Sequence, residues 1–176
     1  TSVKYESITF RTNKLRIMVF DVQPTKKYIY DSLGLSVEYY TEDYCVDFLN
    51  KIDFLAQEFN LDVYIKRKRP SKSISKKYLN KLNSLLATSV WNEIPPEYDP
   101  NLACELVKPF ASISMPFTST GLITSLINIP TVYFDTTCAL DDLFFDRGEV
   151  ILILGYDNLK SWFNNLINTT FNEKNC

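Results

Sequence analysis

Short apolar runs alternate along this chain with longer segments in which apolar residues recur every three or four positions. That alternation limits the possible folds more than any other feature. Leu15 to Val22 is a compact apolar run that ends in Asp21, Gln23 and Pro24, as a buried strand does. Thr41 then opens a helix with Glu42 and Asp43 in its first turn. Cys45, Phe48, Leu49, Ile52, Leu55, Ala56 and Phe59 supply its apolar face. The cycle repeats. Leu61 to Ile65 predicts a strand, and Ser75 caps a helix with Tyr78, Leu79, Leu82, Leu85 and Leu86 on one side. Ser89 to Ile94 predicts a strand, and Asp99-Pro100 opens a helix with proline at its first position. Ala111 to Met115 predicts a strand and Gly121 to Asn128 a helix. Pro130 to Asp135 and Glu149 to Leu154 predict strands, with a loop or short helix between them. Asp157 to Phe171 predicts the last helix. Strongly apolar strands that alternate with helices lie parallel and are covered on both faces. The expected fold is therefore α/β, a doubly wound, mostly parallel, Rossmann-like sheet with right-handed crossovers.

The chain has 176 residues, which suits one domain. At this length roughly 70% of the chain's surface is buried on folding, enough for a core without disulfides or metal. We expect a linker or edge segment over 1–14, one Rossmann-like domain over 15–171 and a tail over 172–176. The start at Thr1 suggests a processed product or a piece of something longer. No apolar run approaches the roughly 20 residues of a membrane span, and Arg16 and Asp21 interrupt the first apolar stretch, so no signal peptide is expected.

Absences narrow the chemistry. Histidine is missing, which removes Ser-His-Asp and Cys-His catalysis and mixed His/Cys zinc sites. No metal site is expected. The four glycines, Gly34, Gly121, Gly148 and Gly155, are too far apart for a P-loop or a dinucleotide fingerprint. Four scattered cysteines without a CxxC pair point to a reducing compartment, and we expect a cytoplasmic protein. A net charge of −2 gives no general reason to expect nucleic acid.

An open parallel sheet binds ligands outside the carboxyl ends of its strands. There Met115-Pro116-Phe117-Thr118-Ser119-Thr120 ends a strand and opens a helix. Unpaired N–H groups, the positive end of the helix dipole and three hydroxyls together suit a phosphate. Ordinary helix capping explains one hydroxyl of the three. Lys66-Arg67-Lys68-Arg69 follows another strand. Two of these four cations can face the crevice, and a solvated basic face is the competing explanation. Asp21 and Asp135 each end a strand, where an acid can hold a hydroxyl, act as a base or simply form a turn. A receiver domain would need two acids after its first strand, and Phe20-Asp21-Val22 offers one. The tyrosines around Tyr28, Tyr30, Tyr39 and Tyr40 could form a stacking surface or a partner interface.

The segment Leu106 to Ile123, closing with Asn128-Ile129-Pro130-Thr131-Val132-Tyr133-Phe134-Asp135, resembles the C-terminal half of a GT-B-type glycosyltransferase. With Val19 to Pro24 and Tyr64 to Arg69 it is similar to bacterial surface-polysaccharide biosynthesis proteins. Its hydroxyl-rich turn resembles that of CMP-sialate and CMP-Kdo transferases. The resemblance implies a nucleotide sugar as substrate and no further cofactor. Pro116, Thr118, Ser119 and Thr120 would hold its phosphate, with Lys66, Arg67 and Lys68 alongside. Asp21 and Gln23 would line the cleft near the sugar, and Asp135 is a further candidate. The helix after the turn carries Thr124-Ser125 and no acid, so CMP is favoured over UDP. The His-Pro pair of many CMP-sugar enzymes is absent. The implied partner is an N-terminal acceptor domain or subunit, with at most peripheral membrane association. Two other classes stay open: a non-catalytic interaction or regulatory module, and a polyanion-binding domain using Lys66 to Lys81.

Overall fold

The computed structural model describes residues 14–22, 24, 40–66, 74–140 and 150–173. Six strands form one sheet: β1 (Arg16–Phe20), β2 (Asp62–Lys66), β3 (Trp91–Ile94), β4 (Ala111–Ser114), β5 (Thr131–Asp135) and β6 (Ile151–Leu154). Five helices accompany them among the described residues: α1 (Glu42–Glu58), α2 (Lys76–Leu86), α3 (Pro100–Val107), α4 (Ser119–Leu126) and α5 (Tyr156–Glu173). The strand order is β3-β2-β1-β4-β5-β6 and every pairing is parallel. The fold is the expected doubly wound, Rossmann-like α/β sheet.

Pleating sends alternate residues of each strand to opposite faces. Ile17 and Val19 of β1, Val63 and Ile65 of β2, and Ala111 and Ile113 of β4 meet Phe48, Ile52, Tyr78, Leu82, Leu159 and Phe163 from α1, α2 and α5. This is the larger core. On the other face Met18, Phe20, Tyr64 and Ile94 meet Ala103, Cys104 and Val107 of α3.

Under α4 the second face changes character. Register pairs Met18 with Ser112 and Phe20 with Ser114, then Ser112 with Thr131 and Ser114 with Tyr133. Small and hydroxyl side chains thus replace hydrocarbon. Accordingly α4 turns Gly121 and Thr124 inward, where the Thr131 hydroxyl donates to Thr124 Oγ1 at 3.0 Å. Its apolar residues face out: Leu122 is 48% exposed, Leu126 70% and Ile127 40%. The hydroxyls of Ser112 and Ser114 are buried in this layer without a hydrogen-bond partner. The helix also starts earlier than its sequence suggested, at Ser119 rather than Gly121, with Thr118 at the N-cap.

The switch point lies between β1 and β4. From β1 the chain builds one half of the sheet, and from β4 the other. At such a point a parallel sheet opens a crevice outside the carboxyl ends of its strands.

Candidate functional site

A cavity of about 170 Å³ occupies that crevice, lined by Phe20, Asp21, Lys66, Pro100, Thr118, Ser119 and Thr120. A hollow of about 410 Å³ lies between the C-terminal parts of α3 and α4, lined by Cys104, Lys108 and Ile127 among others. It faces the negative ends of two helices. The smaller cavity faces two helix N-termini, where anions are favoured.

Five of the residues expected at a site come together here: Asp21 from β1, Lys66 from β2, and Thr118, Ser119 and Thr120 from the start of α4. Pro116 is buried in the same turn without lining the cavity. Gln23, Arg67 and Lys68 lie outside the described residues. Asp135 is not brought to this cavity. It is fully buried at the end of β5, where its carboxylate organises the following loop. It accepts from the Thr137 amide at 3.0 Å and hydroxyl at 2.7 Å, and from the Ala139 and Leu140 amides at 2.9 and 3.0 Å.

Asp21 is 3% exposed and accepts a hydrogen bond from the Tyr78 hydroxyl of α2. A carboxylate at this depth is held by such donors. It also acts on its surroundings. Burial first, and then the charges of Asp21 and Glu42, push the Cys45 thiol well above its ordinary range. Cys45 remains a donor, its Sγ 3.2 Å from the Val22 carbonyl.

The α4 turn is held in an unusual way. Phe117 has φ = 58°, the left-handed region that aromatic residues rarely adopt. The carbonyls on either side of it are both occupied. Tyr40 donates its hydroxyl to the Pro116 carbonyl, and Tyr133 donates to the Thr118 carbonyl at 2.7 Å. Thr118, though at the N-cap, makes no side-chain cap. Its hydroxyl instead donates back to the Met115 carbonyl at 2.8 Å. The first amides of α4 therefore receive no cap from the Thr118 side chain. Thr120 Oγ1, at the same wall, is buried without a hydrogen-bond partner.

The sequence pointed to the α4 turn, Lys66 and Asp21, and to Tyr40 only as part of a stacking surface or partner interface; it did not point to Pro100, Tyr78 or Tyr133 as crevice residues. Pro100 had a visible signal: it is the first residue of a helix that must start where β3 ends. Tyr78 and Tyr133 had none, because each serves a residue distant from it in sequence.

The family model for polysaccharide biosynthesis PFTS motif proteins matches residues 3–163. The chain belongs to that family. No curated protein and no solved structure matches it. The match begins at residue 3, inside the segment expected to be a linker. The four letters of the PFTS motif are carried by Pro116-Phe117-Thr118-Ser119, the turn between β4 and α4. The family assignment gives this PFTS-motif chain a role in polysaccharide biosynthesis. No helix among its described residues is long and apolar enough to cross a membrane.

Proposed function

We propose that the chain is the donor-binding domain of a glycosyltransferase in polysaccharide biosynthesis, of GT-B type, taking a nucleotide sugar as its ligand. The observation that carries this reading is the cavity where uncapped helix amides, a lysine and a buried aspartate converge at the switch point. The ligand's phosphate sits against the N-terminus of α4, with Ser119 and Thr120 as hydroxyl donors and Lys66 as counter-charge. Thr120 Oγ1, buried and unpartnered, gains an acceptor when a phosphate oxygen arrives. Asp21 faces the sugar side. Helix dipole and cation stabilise charge on the departing nucleotide phosphate.

Size supports a shared site. A cavity of about 170 Å³ takes a phosphate group, whereas small-molecule pockets usually begin near ~300 Å³. The rest of a nucleotide sugar extends over the rim, toward a partner domain or subunit that carries the acceptor. The exposed Phe117 of the turn and Leu122 just after it give such a partner apolar surface to cover. We place the protein in the cytoplasm, where nucleotide sugars are made.

The test is thermal stabilisation by CMP, UDP, GDP, ADP and inorganic phosphate. A ligand at 100 times its Kd adds about 2.7 kcal/mol, which shifts Tm by several degrees at this chain length. A selective shift with CMP is the expected result, and a shift with UDP would change the nucleotide but keep the reading. No shift with any of the five would overturn a self-sufficient donor site. Lys66→Glu should weaken the CMP response, more so at low salt.

A further inference from the structure

In an α-helix the amide at the fourth helical position closes the first turn onto the N-cap carbonyl. Four of the five described helices do so: Cys45 onto Thr41 at 3.0 Å, Leu79 onto Ser75 at 3.0 Å, Ala103 onto Asp99 at 3.0 Å, and Leu159 onto Gly155 at 3.3 Å. In α4 the corresponding groups are the Leu122 amide and the Thr118 carbonyl. The Thr118 carbonyl accepts the Tyr133 hydroxyl. The Leu122 amide does not close onto that carbonyl; it lies beside the same hydroxyl and lowers its pKa against the larger, upward effect of burial. The phenol oxygen of Tyr133 thus stands between the two groups that would otherwise close the first turn.

The surroundings suit this insertion. A Cβ at Gly121 would come within 2.5 Å of Tyr133 Cε1 and 2.9 Å of Cζ, so only glycine lets the ring lie against the helix. The turn just upstream carries the left-handed Phe117, with Tyr40 on the Pro116 carbonyl. Strained backbone of this kind persists where its neighbours over-determine it, and it collects at binding sites.

We propose that Tyr133 is a positioning residue of the crevice. Its hydroxyl, inserted between the Thr118 carbonyl and the Leu122 amide, keeps the first turn of α4 open. The amides of Ser119, Thr120 and Gly121 are thereby fixed as a phosphate cradle. Tyr40 holds the other side of the same turn. The inference rests on the donor-site reading for its ligand, but the inserted hydroxyl can be tested without one.

Tyr133→Phe removes the oxygen and leaves the ring against Gly121. Two readouts are needed, both by NMR on the full chain. The first is local: the hydrogen-exchange rate of the Leu122 amide and the backbone carbon shifts of Phe117 to Gly121. In Tyr133→Phe the Leu122 amide should bond the Thr118 carbonyl directly, and the shifts should move while the β1 and β2 resonances stay. The second is binding of CMP and of inorganic phosphate. Affinity should fall about tenfold, the effect of losing one well-placed hydrogen bond of about 1.4 kcal/mol. Tyr40→Phe should move the same shifts by a smaller amount, and it supplies the test if Tyr133→Phe does not fold. Unchanged shifts would overturn the inserted hydroxyl. Changed shifts with unchanged affinity would overturn its positioning role. If the wild-type chain binds neither CMP nor phosphate, the donor-site reading falls, and the local readout still decides whether the hydroxyl holds the turn.

Discussion

Two helices of equal length, α3 and α4, begin at the same crevice and begin differently. Both have eight residues and both lie on the same face of the sheet. At α3 the cap is complete. Asp99 accepts from the Leu102 amide at 2.9 Å, Pro100 sits in the first helical turn, and the Ala103 amide closes onto Asp99. At α4 the N-cap side chain points elsewhere, the preceding residue is a left-handed phenylalanine, and a tyrosine hydroxyl takes the N-cap carbonyl. One end is built for stability. The other leaves its donors available and relies on Tyr40 and Tyr133 for its shape. Of two starts that share one crevice, the less satisfied one keeps donors free for the phosphate we propose.

The comparison can be broken most forcefully at Gly121. Gly121→Ala should cost about 2 kcal/mol by driving Tyr133 out of place, a Tm loss of roughly 4–8 °C. A glycine-to-alanine change inside a helix is otherwise favourable, so an unchanged or raised Tm would show that the ring is not fixed there. The next contrast is between the two caps. Asp99→Ala should cost about 1 kcal/mol of stability and leave CMP affinity intact. The double variant Thr118→Ala with Ser119→Ala should leave a folded domain whose CMP affinity is clearly reduced. Calorimetric titration beside urea unfolding separates the two, and equal CMP affinity in both variants would erase the distinction. The smallest effect is alkaline. Burial first, with Cys45 and Tyr133 adding to it, pushes the Tyr40 hydroxyl up to about 12. The folded state therefore keeps this proton after the unfolded chain, near its ordinary value of about 10, has lost it. Stability from Tyr40 is complete below pH 10 and is lost as the pH rises toward 12. Tyr40→Phe should flatten that part of the stability profile, read from urea midpoints between pH 9 and 12. An equally steep profile in the variant would assign the slope to other groups.

Most of the sheet was legible because its signal is local. A buried parallel strand must be apolar over four or five consecutive residues, and Leu15 to Val22 or Leu61 to Ile65 can hardly be anything else. The helix starts at Thr41, Ser75 and Asp99 were legible for the same reason, since a cap lies within three residues of the amide it serves. The crevice followed from topology once the strands were known. What escaped was the orientation of α4. Its Leu122, Leu126 and Ile127 look like an inner face, yet the sheet below offers Ser112, Ser114 and Thr131. The clue was the polar half of the alternation in β4, Ala111-Ser112-Ile113-Ser114, which only has meaning once one knows which helix covers it. Tyr133 was hidden for a similar reason. It serves a helix start fifteen residues earlier, a distance no local pattern spans.

The hydroxyl layer beneath α4 also governs how that helix answers to solvent and temperature. The heat capacity and the denaturant response of an opening event follow the hydrocarbon it uncovers. Lifting α1 would bare Phe48, Leu49 and Ile52, so its opening should be steeply promoted by urea and strongly curved with temperature. Lifting α4 uncovers Gly121, Thr124, Ser112 and Thr131 beside the single ring of Tyr133. Its opening should respond less steeply to urea and to cooling. Within one small domain, the element that carries the PFTS turn can thus move on an energy scale set by hydrogen bonds, while the rest of the sheet stays under the control of the hydrophobic effect.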